Sequence, residues 1–267
     1  MNLLKLSRPV FWIVFIVVFT AGFVVGKGTF SVIFLLQLLS FSFPFSLFVF
    51  GINDIYDYKT DLLNPRKKNI EGIKLQKKHH KDIKIISLVA GALVLLISFF
   101  TFNVQTIILT FLLLMVMYIY SAPPRLKEIP FLDSISNGIM FLLLFSVGYS
   151  YGSDSFTLHH SLFFAALIVV AIHAYTTILD YEPDKKANVK TMATVFGKKF
   201  TVVVSLAMLL FVLLSGQIQS WIINAYILLC ILLMFISLFY MHLVKLFIKA
   251  LFVFFVIGAA CFLIFFL

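Results

Sequence analysis

Charged side chains are scarce: Asp, Glu, Lys and Arg make up 12% of the 267 residues. Soluble domains carry roughly 25%, so the chain has too little polar surface to coat a water-soluble globule. Cysteine is nearly absent. Both copies, Cys230 and Cys261, lie inside apolar runs, which excludes a disulfide framework and a cysteine metal site. Acids number 11 against 21 lysines and arginines, a formal net charge of +10. That excess does not point to nucleic acid, because the bases sit in short segments between apolar runs, where they orient a chain in the bilayer and face anionic headgroups. Also missing is the two-residue alternation of a transmembrane barrel strand.

What is abundant is apolar: 62% of residues are hydrophobic and 33 are phenylalanine. About 20 residues cross the hydrocarbon core as a helix, and lipid offers no partner to exposed backbone polar groups, so the runs are predicted to be helices. Nine spans are expected, at 10–26, 29–52, 83–101, 104–121, 131–151, 160–180, 200–215, 220–241 and 247–267. The predicted architecture is an all-α integral membrane protein, one domain over residues 1–267. The first apolar run follows a short basic start (Lys5, Arg8) but is taken as a span and not a cleaved signal, because a second run follows at once.

Charge placement orients the bundle. With the N-terminus in the cytoplasm, every lysine and arginine except Lys27 falls on the inner side, and so does every acid except Asp154. The basic bias predicts an odd number of crossings with the C-terminus outside. Acids contribute little to orientation, so their one-sidedness marks the inner face as the chemical one.

Two acidic segments lie there. The first, Asn53-Asp54-Ile55-Tyr56-Asp57-Tyr58-Lys59-Thr60-Asp61, closes the second span. If the helix continues, Asn53, Asp54, Asp57 and Asp61 share a face. Three carboxylates at the edge of lipid repel one another with little screening, and a cation must compensate. Ligands that are all oxygen point to a hard ion, Mg²⁺ or Ca²⁺. The second, Asp180-Tyr181-Glu182-Pro183-Asp184, closes the sixth span. Four spans separate the two, and both emerge on the same face. They are expected to act as half-sites that clamp one diphosphate through Mg²⁺. A third segment, Tyr118-Ile119-Tyr120-Ser121-Ala122-Pro123-Pro124-Arg125-Leu126-Lys127, closes the fourth span. Its prolines end the helix, and Arg125 and Lys127 are candidates to grip phosphate oxygens. Arg66 to Lys84 reads as a solvated loop. His173 reads as a buried hydrogen-bonded histidine, with a base beside the cavity as the alternative.

Together the three segments resemble the UbiA superfamily of intramembrane prenyltransferases. Residues 53–61 match its Asn-Asp-x-x-Asp-x-x-x-Asp pattern, 180–184 match Asp-x-x-x-Asp, and 120–127 resemble Tyr-Ser-x-Pro-Pro-x-x-Lys. Within it, Ser7-Arg8-Pro9-x-Phe11-Trp12, Asp61-Leu62-Leu63-Asn64-Pro65-Arg66-Lys67-Lys68-x-x-Glu71-Gly72 and Tyr120-Ser121-Ala122-Pro123-Pro124 are most similar to lycopene elongases. Two departures are Asn188, where the superfamily usually has Gly, and the bulky Tyr181-Glu182 between the second pair of acids.

The resemblance implies a central cavity open sideways to lipid and capped by cytoplasmic loops. It implies Mg²⁺ held by Asp54, Asp57, Asp61, Asp180 and Asp184, and a prenyl diphosphate donor bound with help from Asn53, Tyr120, Ser121, Arg125 and Lys127. It also implies a lipophilic acceptor, lycopene, extended with dimethylallyl diphosphate. The alternatives within the superfamily are a quinone precursor, a tetrapyrrole or a glycerol-based lipid as acceptor. An ion-coupled transporter is the alternative from another class. Transporters place charged sites near the bilayer midplane, whereas these acids stand at one membrane edge.

Overall fold

A computed structural model describes residues 2–64, 74–153 and 160–266. The Pro65-Arg66-Lys67-Lys68-x-x-Glu71-Gly72 element of the resemblance and Asp154 lie outside the described residues. Among those described the architecture is all helical and strand-free. Eight helices are long and apolar enough to cross a bilayer, and a ninth apolar helix is shorter. In chain order they are α1 Pro9–Val25 (the short one), α2 Val32–Tyr56, α3 Lys77–Phe99, α4 Val104–Ser121, α5 Leu132–Tyr149, α6 His160–Lys186, α7 Lys198–Ser215, α8 Trp221–Phe239 and α9 Met241–Phe265. At 1.5 Å per residue α1 is about 26 Å long, a little less than the ~30 Å hydrocarbon core.

Two helices are less regular than the apolar pattern predicts. In α2 the regular helix stops at Ser40 and restarts at Phe43, with Pro44 in the first turn of the second half. Pro44 has no N–H to continue the ladder, and the hydroxyls of Ser40 and Ser42 donate to the Gln37 and Leu39 carbonyls at 2.7 and 2.5 Å. In α6 the last turn before the acids, Thr177–Asp180, tightens into a 3₁₀ helix.

Cα packing divides the chain into two compact units. One comprises Met1–Pro124, Leu143–Phe156 and Val256–Leu267; the other comprises Arg125–Leu142 and Thr157–Phe255.

In lipid, apolar side chains gain little by leaving their surroundings for one another, so helices associate through close approach and interhelical hydrogen bonds. The first unit uses both. Gly22-x-x-x-Gly26 of α1 meets Gly148-x-x-x-Gly152 of α5 and its following turn. A Cβ on Gly22 would stand 1.9 Å from the Phe145 carbonyl oxygen, and one on Gly148 would stand 1.9 Å from that of Phe19. Only glycine permits backbones that close. Between α2 and α3, Gly51 leaves room for the Ser87 hydroxyl, which donates to the Leu47 carbonyl at 3.1 Å. Asn103, at the start of α4, donates to the Ser150 carbonyl at 3.1 Å, and Thr106 and Ser150 share a hydrogen bond of 2.8 Å.

The second unit packs α6, α7 and α8 around Ala171, Tyr175, Val202, Leu209, Ile227 and Met234. The Tyr175 hydroxyl meets that of Ser237 at 2.5 Å, which satisfies both inside an apolar core.

Candidate active site

The C-terminal end of α2 is built up from the N-terminus. A short helix, Leu3–Leu6, buries Leu6 completely among Leu47, Leu75, Ile83 and Ala90. Past it the chain turns sharply: Arg8 adopts a left-handed backbone, and the Trp12 indole N–H donates to the Ser7 carbonyl at 3.1 Å. This turn delivers the Arg8 guanidinium to Asp54 at 2.5 Å, with the cation resting on the Phe50 ring 4.3 Å from its centroid. Asp54 is fully buried. A carboxylate there is costly without a cation to pair it, and Arg8 supplies one. The aromatic face adds a cation–π attraction of about 1–2 kcal/mol.

Asn53 donates to Asp54 at 3.5 Å and accepts from the Ser121 hydroxyl at 3.3 Å. The structure therefore brings the end of α4 against the first acidic segment, joining residues 68 positions apart. Ser121 is 2% exposed, and Tyr120 is partly buried beside it.

The helix does not run straight through this segment. It ends at Tyr56, pivots at Asp57 and resumes over Tyr58–Leu63. The Asp57 and Asp61 amides still donate four residues back, to Asn53 at 2.9 Å and Asp57 at 2.8 Å. That keeps the three-and-four spacing of Asp54, Asp57 and Asp61 meaningful. Asp61 is 5% exposed and Asp57 is partly exposed.

In the second unit, Asp180 ends the 3₁₀ turn and a new helical stretch, Tyr181–Lys186, starts with Pro183 in its first turn, where proline's missing N–H is harmless. Asp184 is 8% exposed. Its carbonyl accepts from the Val189 amide at 2.9 Å, which closes the following turn through Asn188, a left-handed residue at φ 58°. The Asn-for-Gly departure thus falls where φ must be positive, and asparagine tolerates that region better than most other non-glycine residues. Asn188→Gly is expected to preserve stability in detergent, whereas Asn188→Val should cost about 1–3 kcal/mol, measured by thermal or denaturant unfolding. The bulky Tyr181-Glu182 pair also has a local account. Tyr181 lies between two lysines, with Lys198 4.2 Å and Lys185 5.4 Å from its ring centroid, and Lys198 pairs with Glu182 at 3.0 Å.

The basic candidates are positioned by a second left-handed residue, Arg125, after the prolines. Its guanidinium meets Glu128 at 2.5 Å, a pairing that the sequence reading did not foresee; one helical turn separates the two. Lys127 lies in the same short 3₁₀ turn, Leu126–Glu128. Sequence reasoning also passed over Arg8 as a site residue and left Asp133 unconsidered. The only signal for Arg8 was its place in Ser7-Arg8-Pro9. For Asp133 it was an acid in the first turn of an apolar span.

Among the described residues, no set of three His, Cys, Asp or Glu side chains is close enough to chelate an ion alone. The donor set nevertheless suits Mg²⁺, which takes one or two carboxylates and completes its shell with waters and substrate phosphate oxygens. Every candidate ligand is an oxygen, and three of the five carboxylates, Asp54, Asp61 and Asp184, are buried.

The model of the UbiA prenyltransferase family matches residues 13–255. The chain belongs to that family. Membership places this UbiA protein among membrane prenyltransferases. It is 34% identical to the lycopene elongase/hydratase of Haloarcula japonica over 206 residues, 74% of this chain and 68% of that protein. It is 31% identical over 204 residues to the C(50) beta-cyclic carotenoids biosynthesis protein LbtBC of a Dietzia species, covering 75% of this chain but only 47%, about half, of that relative. Its fold matches the UbiA homolog from Archaeoglobus fulgidus bound to DMAPP and Mg²⁺ with a TM-score of 0.68 and 25% identity, covering 97% of this chain and 99% of that one.

Proposed function

We propose that this UbiA protein transfers the five-carbon prenyl group of dimethylallyl diphosphate to a terminal alkene of lycopene. The observation that carries the reading is the set of buried carboxylates at the ends of α2 and α6 in a chain whose relatives above 30% identity include a lycopene elongase. The topology that goes with it is a single domain of nine crossings, with the N-terminus and both acidic segments cytoplasmic, the C-terminus outside, and a cavity that lipophilic substrates enter sideways from the bilayer.

In this reading Asp54, Asp57, Asp61, Asp180 and Asp184, with Asn53, are the groups that would hold Mg²⁺ and orient the donor. When bound, Mg²⁺ neutralises the charge that develops on the leaving diphosphate. Arg125 and Lys127 contribute cations to the same oxygens, and Tyr120 and Ser121 fix the donor by hydrogen bonds. The C1–O bond of the donor breaks with its electron pair leaving on diphosphate. The allylic cation is attacked by the lycopene π bond, which forms the new C–C bond and moves the positive charge onto the acceptor. Water addition followed by loss of its proton, or direct proton loss, then quenches that charge. Apolar and aromatic walls exclude bulk water until transfer is complete.

The test is direct. Purified protein is incubated with Mg²⁺, labelled dimethylallyl diphosphate and separate acceptors: lycopene, a quinone precursor, a tetrapyrrole and a glycerol-based lipid. A five-carbon-extended lycopene is expected, and chelation with EDTA should abolish its formation. A product on another acceptor alone would overturn the lycopene assignment.

A further inference from the structure

Asp133 and Ser134 stand in the first turn of α5, 1% and 0% exposed, within a membrane span and outside the acidic segments. Asp133 Oδ1 accepts from the Ser134 amide at 2.7 Å and from the Ser134 hydroxyl at 3.2 Å. Its Oδ2 is buried and has no hydrogen-bond partner among the described residues. A buried carboxylate with an unmatched oxygen is costly, and an ionisable group inside a membrane span points to function more than to support.

The other partner of Ser134 is on α6. Gly138, one turn further along α5, lets the two helices close: a Cβ there would stand 2.6 Å from Val170 Cγ2 and 3.1 Å from the Ala166 carbonyl oxygen. One turn nearer the acids, the Ser134 hydroxyl meets His173 Nδ1 at 3.2 Å. A hydroxyl has one proton. When it is given to Asp133 the oxygen accepts from Nδ1–H, and the basic lone pair of the imidazole then lies on Nε2. Carboxylate, hydroxyl and imidazole in that order make a base whose tautomer is held by the group behind it. His173, Thr176 and Asp180 are all partly exposed and follow one another at three- and four-residue spacing, while Ala171, Tyr175 and Ile178 turn into the apolar core of the second unit. The three therefore share one open face of α6. With the last turn drawn out into 3₁₀ form, His173 stands about 10–12 Å along the helix from Asp180. A carboxylate–Mg²⁺–diphosphate bridge, at about 2 Å per metal–oxygen bond, followed by the first carbons of a prenyl group, spans a similar distance.

We propose that His173 is the base that takes the proton released when the acceptor cation is quenched, with Ser134 and Asp133 as its positioning residues. This rests on the reading that Asp180 and Asp184 hold a metal–diphosphate, and it names the proton acceptor which that reaction requires. Where a C–H bond beside the cationic carbon breaks, its electron pair closes the new double bond and its proton goes to Nε2. Where water adds first, a lone pair of the water oxygen forms the C–O bond and one of its O–H protons goes to Nε2. The imidazolium so formed is compensated by Asp133 through the bridging hydroxyl, and it returns the proton to water once product has left.

The test compares wild type with H173A, H173Q, S134A and D133N in detergent, with Mg²⁺, labelled dimethylallyl diphosphate and lycopene. Glutamine keeps an N–H to give Ser134 but is not a base, so it would replace a histidine whose role is merely structural. H173Q and H173A should instead both lose about 10²-fold in kcat, the scale of a general base. Both should bind the unreactive analogue dimethylallyl S-thiolodiphosphate, titrated with Mg²⁺, with wild-type affinity. Added imidazole should restore part of the turnover of H173A and none of that of H173Q, whose side chain fills the site. S134A and D133N keep the ring but release its tautomer, and their kcat should fall between, again with analogue affinity unchanged. Wild-type turnover in H173Q would overturn the proposal, and so would a loss of analogue affinity as large as the loss of turnover, which marks donor binding. If H173A fails to fold, H173Q and S134A decide by the same two readouts. If wild type extends only another acceptor that sheds a proton, the proposed function falls and the same variants decide the role of His173 there. A wild type that prenylates no acceptor overturns both.

Discussion

Replacing Asp57 or Asp184 by alanine is expected to lower prenyl transfer by at least about 10³-fold, on the scale of losing a group that stabilises transition-state charge, while membrane insertion stays near normal. Asp57 is partly exposed at a pivot between two helical stretches, so its side chain carries little packing. Asp184 ties its loop through a backbone carbonyl, which alanine retains. Loss of activity in either variant therefore reports the carboxylate and not the fold. Asp57→Asn separates charge from shape, since the amide keeps the volume but is a poor ligand for a hard cation. Transfer is measured with labelled donor at saturating Mg²⁺, and folding by size exclusion in detergent. Wild-type turnover in either alanine variant would end the assignment of that residue to the metal site.

The second large effect is on assembly. Gly22→Leu or Gly148→Leu should destabilise the first unit by about 3 kcal/mol or more, since the new side chain meets backbone and not a yielding side chain. At 1.9 Å from a carbonyl oxygen, even the Cβ forces the two helices apart, and the close contact that replaces hydrophobic driving force in lipid is lost. Gly258→Ala is the control: nothing lies within 4 Å of a Cβ there, and alanine is the better helix former by about 1 kcal/mol. Unfolding temperature and the monodisperse fraction in detergent report the difference. A Gly148→Leu protein as stable as the parent would show that α1 and α5 do not depend on this approach.

Much of the membrane architecture was legible because an apolar helix of bilayer length needs no particular partner to be recognised. Among the described residues, eight of the nine expected runs correspond to helices long enough to cross a bilayer, α2 to α9, and the first to the shorter α1, with ends shifted by up to about six residues. The break in α2 was also written there, in Pro44, but an uninterrupted apolar run hides a single missing N–H. The glycine pairs at 22, 26, 148 and 152 were visible as spacing; what the spacing could not say was which helix each pair meets. The acidic segments were legible because charge at a membrane edge is rare enough to stand out. Arg8 was not, since one arginine after a short basic start looks like an orientation signal until the left-handed turn carries it onto Asp54.

By itself the sequence determined the solvent this protein lives in, the helical class, and the two acidic helix ends, because each follows from local composition and from periodicity along one chain. Only the tertiary structure decided that Ser121 meets Asn53, that Arg8 neutralises Asp54 and that Ser134 meets His173. Those contacts join residues 68, 46 and 39 positions apart. Among near-uniformly apolar helices no side-chain pattern specifies which faces meet, so close backbone approach and a few buried hydrogen bonds make that choice.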